Sequence, residues 1–166
     1  MKRHVVSALV ENRSGTLSRV SGLFSRRGFN IDGLTVGETD DPSISRMTIA
    51  VSGDESVLEQ IVKQLSKLVD VIAVRELDSS SCIRRELMLL KIKADEQTRP
   101  AVIEIASIFR ARIIDVSPST ITIEATGDVD KLDGLLLLLR PYGILELART
   151  GLVALERGSL VLNISI

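Results

Sequence analysis

Hydrophobic positions along this chain fall into short runs and helical stripes that follow one another in a fixed order. Val5–Val10 is a nearly continuous apolar run, the pattern of a strand covered on both faces or packed in an interface. Leu17, Val20, Leu23, Phe24 and Arg27 then recur at helical spacing, and Gly28 predicts the stop. Asn30–Thr39 reads as a second strand carrying Ile31, Leu34 and Val36. Asp40-Asp41-Pro42-Ser43 reads as a turn, because Asp side chains bond their own backbone and Pro presets φ. Ser45–Val51 pairs back as a hairpin. Gly53-Asp54 opens a second helix, with Val57, Leu58, Ile61, Val62, Leu65 and Leu68 on its buried stripe, and Val69–Leu77 is a fourth strand. The order is β-α-β-β-α-β, the ferredoxin-like arrangement.

The same plan then runs again. Asp78-Ser79-Ser80-Ser81 is the best linker candidate. Beyond it Glu86–Ala94 is strand-like, and Pro100 begins a helix with Val102, Ile105, Ala106 and Phe109 on its stripe. Arg112–Val116 and Thr120–Ala125 form a hairpin around Ser117-Pro118-Ser119. Gly127-Asp128 opens a helix through Leu132, Leu135, Leu136 and Leu139, and Ile144–Leu155 returns as a strand region. The expected organisation is a first domain over 1–78, a linker over 79–83 and a second domain over 84–166. The fold class is α+β, with two βαββαβ domains in tandem.

Composition narrows the function classes. The chain has 166 residues, 45% of them hydrophobic, so it can bury a core built from aliphatic side chains. A formal net charge of -1 gives no electrostatic reason to expect nucleic acid. RNA-recognition modules of this topology stack bases on sheet aromatics, but Phe24 and Phe109 fall on buried helix stripes and Tyr142 near a turn. The single Cys82 cannot form an internal disulfide, and the single His4 cannot anchor a metal cluster. Cys82 reads as a linker or packing residue and His4 as a strand-edge residue. The longest strictly apolar run, Leu135–Leu139, falls far short of the about 20 residues that span a bilayer. No stretch reads as a signal peptide, and the expectation is a soluble cytoplasmic protein without a membrane partner. The carboxylates are scattered; Glu55, Glu59 and Lys63 read as a solvated helix face.

One loop offers binding chemistry. Glu11-Asn12-Arg13-Ser14-Gly15-Thr16-Leu17 joins the first strand to the first helix, where backbone N–H groups have no intrahelical partner. Gly15 allows close approach to that backbone, and a small anion is a natural occupant. Asn12 adds a side-chain carbonyl and amide, so the loop can hold both ends of a free amino acid. The other reading is an ordinary turn with Ser14 or Thr16 as helix cap. The second copy has Asp95-Glu96-Gln97-Thr98-Arg99 here, with no glycine, which favours a ligand task for the first copy.

Asn12-Arg13-Ser14-Gly15 opening a helix that ends in Gly28-Phe29-Asn30-Ile31 resembles the ACT domain, an amino-acid-sensing module. The longer pattern is more specific. It runs through Leu23–Ile31, Leu34-Thr35-Val36, Thr39–Pro42, Ser45–Ile49 and Leu65–Val71, then Arg84–Leu87, Ile114-Asp115-Val116 and Arg149 to Gly158. This is similar to the small regulatory subunits of acetolactate (acetohydroxyacid) synthase, and the likeness stops before Ser159–Ile166.

The resemblance implies a first domain of ACT type and a chain with no catalytic residues and no cofactor of its own. It implies a large catalytic subunit as partner, holding thiamine diphosphate, Mg²⁺ and usually a flavin, which joins pyruvate to a second 2-oxo acid. The small subunit raises that activity and confers feedback inhibition by valine. Carried onto this sequence, the effector site is Asn12, Arg13, Ser14, Gly15, Thr16 and Leu17. Asn30 and Ile31 complete it from the second strand of a homodimer partner. A stand-alone ACT-type sensor answering to another amino acid, or regulating another enzyme, is the alternative.

Overall fold

The computed structural model describes residues 2–162, so Met1 and positions 163–166 of the expected domains lie outside the described residues. The first six elements are β1 (Lys2–Glu11), α1 (Thr16–Arg27), β2 (Gly33–Glu38), β3 (Ile44–Gly53), α2 (Glu55–Leu65) and β4 (Val71–Leu77). They form an antiparallel sheet in the order β2-β3-β1-β4, with β1 at its centre. Val6, Ala8 and Val10 of β1 and Met47, Ile49 and Val51 of β3 pack with Val20, Leu23 and Phe24 of α1 and Leu58, Ile61 and Leu65 of α2. Val5, Ser7 and Leu9, on the opposite face of β1, are buried as well, which is why the run in this strand does not alternate.

Local chemistry sets the element ends. Gly28 adopts the left-handed conformation, and the N–H of Phe29 reaches back to the Phe24 carbonyl. The two rings meet edge to face at 6.4 Å between centroids, closing the cap with an apolar contact. Asp54 caps α2 by accepting the Val57 N–H. Asp41 holds the β2–β3 turn by accepting the Ser43 N–H at 2.9 Å and the Ser43 hydroxyl at 2.7 Å.

The second set repeats the plan: β5 (Cys82–Lys93), α3 (Arg99–Ile108), β6 (Arg112–Val116), β7 (Thr120–Gly127), α4 (Val129–Leu139), a 3-10 turn at Arg140–Tyr142, and β8 (Ile144–Arg149). Its strand path, β6-β7-β5-β8, is the order of the first sheet. The duplication extends to detail. Asp128 caps α4 as Asp54 caps α2. The pairing of the first with the last strand also slips at matching places, between Leu9 and Val10 and between Lys91 and Ile92. Met88, Leu90 and Ile92 pack with Ile121, Ile123, Val102, Ala106, Leu132, Leu135 and Leu139. The leucine run wraps around α4, leaving Leu137 and Leu138 exposed.

Five expectations are corrected. Regular pairing of the second strand starts at Gly33, so Asn30 and Ile31 precede β2 rather than lie in it. Gly28 and Phe29 are still occupied in ending α1, and the Asp32 N–H makes the first bond to β3, at Ala50. Ile144–Leu155 is not one strand: Gly151, at φ 82°, breaks it into β8 and β9 (Val153–Glu156). The chain divides into compact units of 2–83 with 152–162, and of 84–151, so the last described residues group with the first unit. Within that unit Arg157 donates its N–H to the Ser81 carbonyl and Arg75 donates Nη1 to the Val161 carbonyl. Of the expected linker, Ser79–Ser81 form a tight turn closed on Asp78, whereas Cys82, which is buried, and Ile83 already belong to β5. Finally, His4 is buried in the central strand of its sheet rather than at an edge.

Candidate functional site

The loop after β1 is held from both sides. The Glu11 N–H donates to the Asp70 carbonyl at 2.9 Å, and the Asn12 N–H to the Ser43 carbonyl at 2.7 Å. The Asn12 side-chain amide also donates to the Pro42 carbonyl at 2.8 Å and to Glu38 Oε1 at 3.1 Å. Asn12 therefore ties the loop to the β2–β3 turn, and its side-chain oxygen is the atom left to meet a ligand. Arg13 turns the other way, with Nη2 and Nε donating to Asp70 Oδ1 at 2.7 and 3.0 Å, and it forms an ion pair with Glu11 Oε2 at 2.7 Å.

With the loop fixed, α1 begins without a side-chain cap. Its N-cap is Gly15, at φ 87° and ψ -13°, and neither Ser14 nor Thr16 serves as the cap. The Thr16 N–H reaches the Arg13 carbonyl at 3.3 Å, which leaves the N–H groups of Leu17 and Ser18 without an acceptor among the described residues. Thr16, the first helical residue, is buried, and its hydroxyl has no hydrogen-bond partner among the described residues. Leu17 beside it is half-exposed. Of the six expected loop residues, all but Arg13, which is turned onto Asp70 and Glu11, are brought together. Asn30 and Ile31 are not: they follow the far end of the 12-residue α1, about 18 Å along its axis. Asn30 is exposed, and its amide donates to Asp32 Oδ1.

Two residues of this site escaped the sequence reading. The Asp70 side chain is only 1% exposed and accepts from Arg13 and, through its other oxygen, from Arg19 Nε. The Arg19 guanidinium, followed by that of Arg13, holds the Asp70 carboxyl below its ordinary range. A depressed carboxylate pKa stabilises the fold above the unfolded value near 4, and that contribution is lost as pH falls through the folded value. Asp70→Asn is therefore expected to lower the urea midpoint at pH 7 and to flatten its decline below about pH 4. Equal declines in both proteins would contradict this.

The corresponding loop of the second copy shows the alternative solution. There Asp95 Oδ1 accepts from the N–H groups of Gln97 and Thr98 at 3.0 and 2.8 Å and from the Thr98 hydroxyl at 2.9 Å. Those bonds, the Thr98 N–H foremost, lower the Asp95 pKa. Arg99 Nη2 then donates to the carbonyls of Ala94, Ser117 and Pro118. The second loop carries its own carboxylate on its backbone N–H groups. In the first loop, the only acidic residue at the start, Glu11, pairs with Arg13 instead.

Elsewhere, His4 Nδ1 lies 3.2 Å from Glu76 Oε1, and Lys2 Nζ lies 3.0 Å from Glu55 Oε1. His4, Glu55 and Glu76 bring metal-ligating atoms within 4.8 Å of one another, but the lysine on Glu55 makes this an ion-pair cluster first. Among the described residues, none of the nine strands carries the Phe, Tyr or Trp on which RNA-binding modules of this topology stack bases.

Comparison with known proteins places this geometry. A family described as the acetohydroxyacid synthase small subunit-like ACT domain matches residues 6–73, and one described as the small subunit of acetolactate synthase matches residues 85–158. A probable acetolactate synthase small subunit from Methanothermobacter thermautotrophicus is 55% identical over 157 residues, covering 94% of each chain. The acetolactate synthase isozyme 3 small subunit of Salmonella typhimurium is 53% identical over 162 residues, covering 97% of this chain and 99% of its own. The chain belongs to the acetolactate synthase small-subunit family. The crystal structure of the Thermotoga maritima acetolactate synthase small subunit superposes with a TM-score of 0.90 at 41% identity, covering 96% of this chain and all of that one. Within this family's frame, the Asn12–Leu17 loop, Arg19, Asn30, Ile31 and Asp70 fall in the ACT match, and the self-filled Asp95 loop falls in the other. Residues 159–166 lie beyond both matches.

Proposed function

We propose that this chain is the regulatory subunit of an acetolactate synthase. It binds the large catalytic subunit, raises its activity and carries feedback inhibition by valine. The observation that supports this reading best is the first loop itself: its helix begins at Gly15 with no side-chain cap beside a buried Thr16 hydroxyl that has no hydrogen-bond partner among the described residues, whereas in the second loop a carboxylate of the chain, Asp95, already accepts the Gln97 and Thr98 N–H groups. The catalytic chemistry then belongs to the partner, with thiamine diphosphate, Mg²⁺ and a flavin bound there, in the cytoplasm. No helix among the described residues is long and apolar enough to cross a membrane.

Valine is met at both ends. Burying its side chain yields only about 1.5–3 kcal/mol, and even millimolar affinity needs about 4. Its charged groups must therefore be hydrogen-bonded as well. The loop supplies N–H groups and the Thr16 hydroxyl for the carboxylate, the Asn12 oxygen for the ammonium, and Leu17 for the isopropyl group. One amino acid cannot bridge from this loop to Asn30 and Ile31 along the length of α1. A second copy of the chain brings those two residues to the loop, so that binding is linked to pairing of ACT domains.

The test is calorimetric titration of the purified chain with valine, leucine and isoleucine, followed by assay with its catalytic subunit. Saturable valine binding together with valine-sensitive activation is expected. A chain that binds none of the three, or that neither joins nor activates a thiamine diphosphate enzyme, refutes the reading and leaves a stand-alone sensor. Asn30→Ala removes one polar contact and is expected to weaken valine by about 1 kcal/mol, roughly fivefold. Wild-type affinity would remove Asn30 from the site.

A further inference from the structure

Gly15 is usually read as making room for a ligand, but the atoms nearest its vacant position belong to the protein. A Cβ at Gly15 would lie 2.9 Å from Arg19 Nη1 and 3.6 Å from Nη2. Arg19 is four residues into the same helix, and its side chain folds back over the uncapped helix start. Its Nε is engaged by Asp70, whereas Nη1 and Nη2 have no acceptor among the described residues. The guanidinium is half-exposed, and the Asp70 carboxylate beneath it is buried and braced from the other side by Arg13.

Resting on the proposed function, we infer that Arg19 is the side chain that receives the effector's carboxylate, and that Asp70 is the positioning residue that aims it. An arginine held through Nε still presents its two Nη groups in one plane, which matches the two oxygens of a carboxylate. The adjacent helix start adds positive potential at the same place. Other charges in the loop set the ligand class. Arg13 is paired through Nε and Nη2 with Asp70 and Glu11, on the side of the carboxylate away from Arg19's free nitrogens, and Glu38 lies on Asn12. The acidic groups Glu11, Glu38 and Asp70 leave no surplus positive charge for a phosphate or a dicarboxylic acid. One carboxylate, one ammonium and a small apolar side chain against Leu17 describe an aliphatic α-amino acid. Gly15 then serves to keep the guanidinium close to the backbone N–H groups.

The experiment is calorimetric titration of the full chain with valine and with valinamide, which lacks the carboxylate. Arg19→Gln is expected to weaken valine at least tenfold while leaving the weaker valinamide binding unchanged. Arg19→Lys keeps the charge without the planar fork and should fall between. Asp70→Asn should also weaken valine, and the double variant Arg19→Gln/Asp70→Asn should be no weaker than Arg19→Gln alone, because Asp70 acts through Arg19. Urea midpoints for each variant establish folding, and Arg19→Lys replaces Arg19→Gln if the latter does not fold. Wild-type valine affinity in the Arg19 variants, or equal losses for valine and valinamide, overturns the inference alone. A wild-type chain that does not bind valine overturns the proposed function with it.

Discussion

Gly15→Asp is expected to abolish valine inhibition in the reconstituted enzyme, with valine affinity reduced about 100-fold, the equivalent of losing roughly 3 kcal/mol of charge-assisted hydrogen bonding. Two effects act together. Gly15 has φ 87°, where a residue with a side chain is strained by about 1–2 kcal/mol. The new Cβ also meets the Arg19 guanidinium. The larger effect is chemical: the introduced carboxylate sits where the effector's own would go and takes the donors meant for it. In the second copy a loop carboxylate, Asp95, holds backbone N–H groups just before its helix, those of Gln97 and Thr98, which shows that a side-chain carboxylate can occupy such donors. Gly15→Ala carries the strain and the Cβ without the charge, so it should keep measurable valine sensitivity. Activity without valine, read in the same assay, separates loss of the site from loss of the fold. If Gly15→Asp inhibits normally with valine, the site is elsewhere.

Much of the fold was legible because its signals are local. Gly-Asp before each second helix states a cap, and both Asp54 and Asp128 serve as one. Gly28 marks the end of α1, and Asp40–Ser43 forms the turn its side chains require. The errors arise where distant partners decide. Nothing near Asn30 says that pairing must wait for the Asp32 N–H to find Ala50. The apolar content of 144–155 hides the turn at Gly151 that hands β9 to the first unit. His4 looks like an edge residue until the strand order puts β1 at the centre. The site divides in the same way. Its loop is contiguous and carries a glycine where one is needed, so it could be read directly. Arg19 and Asp70 are 51 residues apart, and only the folded chain joins them. Asp70 had a weak signal, as a lone acid just before an apolar strand, but that pattern does not name a partner.

The second unit has its own buried carboxylate, and removing the arginine that holds it is expected to lower stability by about 3 kcal/mol. Glu86 on β5 is 7% exposed and accepts from Arg149 Nε at 2.9 Å and from Nη2 at 2.8 Å; Nη1 donates to Asp133 on α4 at 2.8 Å. One guanidinium thus joins β8 to β5 and to the helix above them, two residues before Gly151. The paired carboxylates raise the Arg149 pKa, Glu86 foremost, so Arg149 stays charged across the accessible pH range. Arg149→Ala leaves Glu86 desolvated without a counter-charge, which is why the cost falls in the range for breaking a buried pair. Its place at the low end follows from the Arg149 side chain being 26% exposed, so that water can reach part of the gap. Arg149→Met keeps most of the apolar stem and should recover only the packing share of the loss. The double variant Arg149→Met/Glu86→Leu removes both charges and should recover most of the remainder, because no ion is then left unpaired. Urea unfolding together with amide exchange in β5 and β8 reads the second unit specifically. If the Arg149→Ala and double variants lose equal stability, packing rather than charge pairing secures this corner of the sheet.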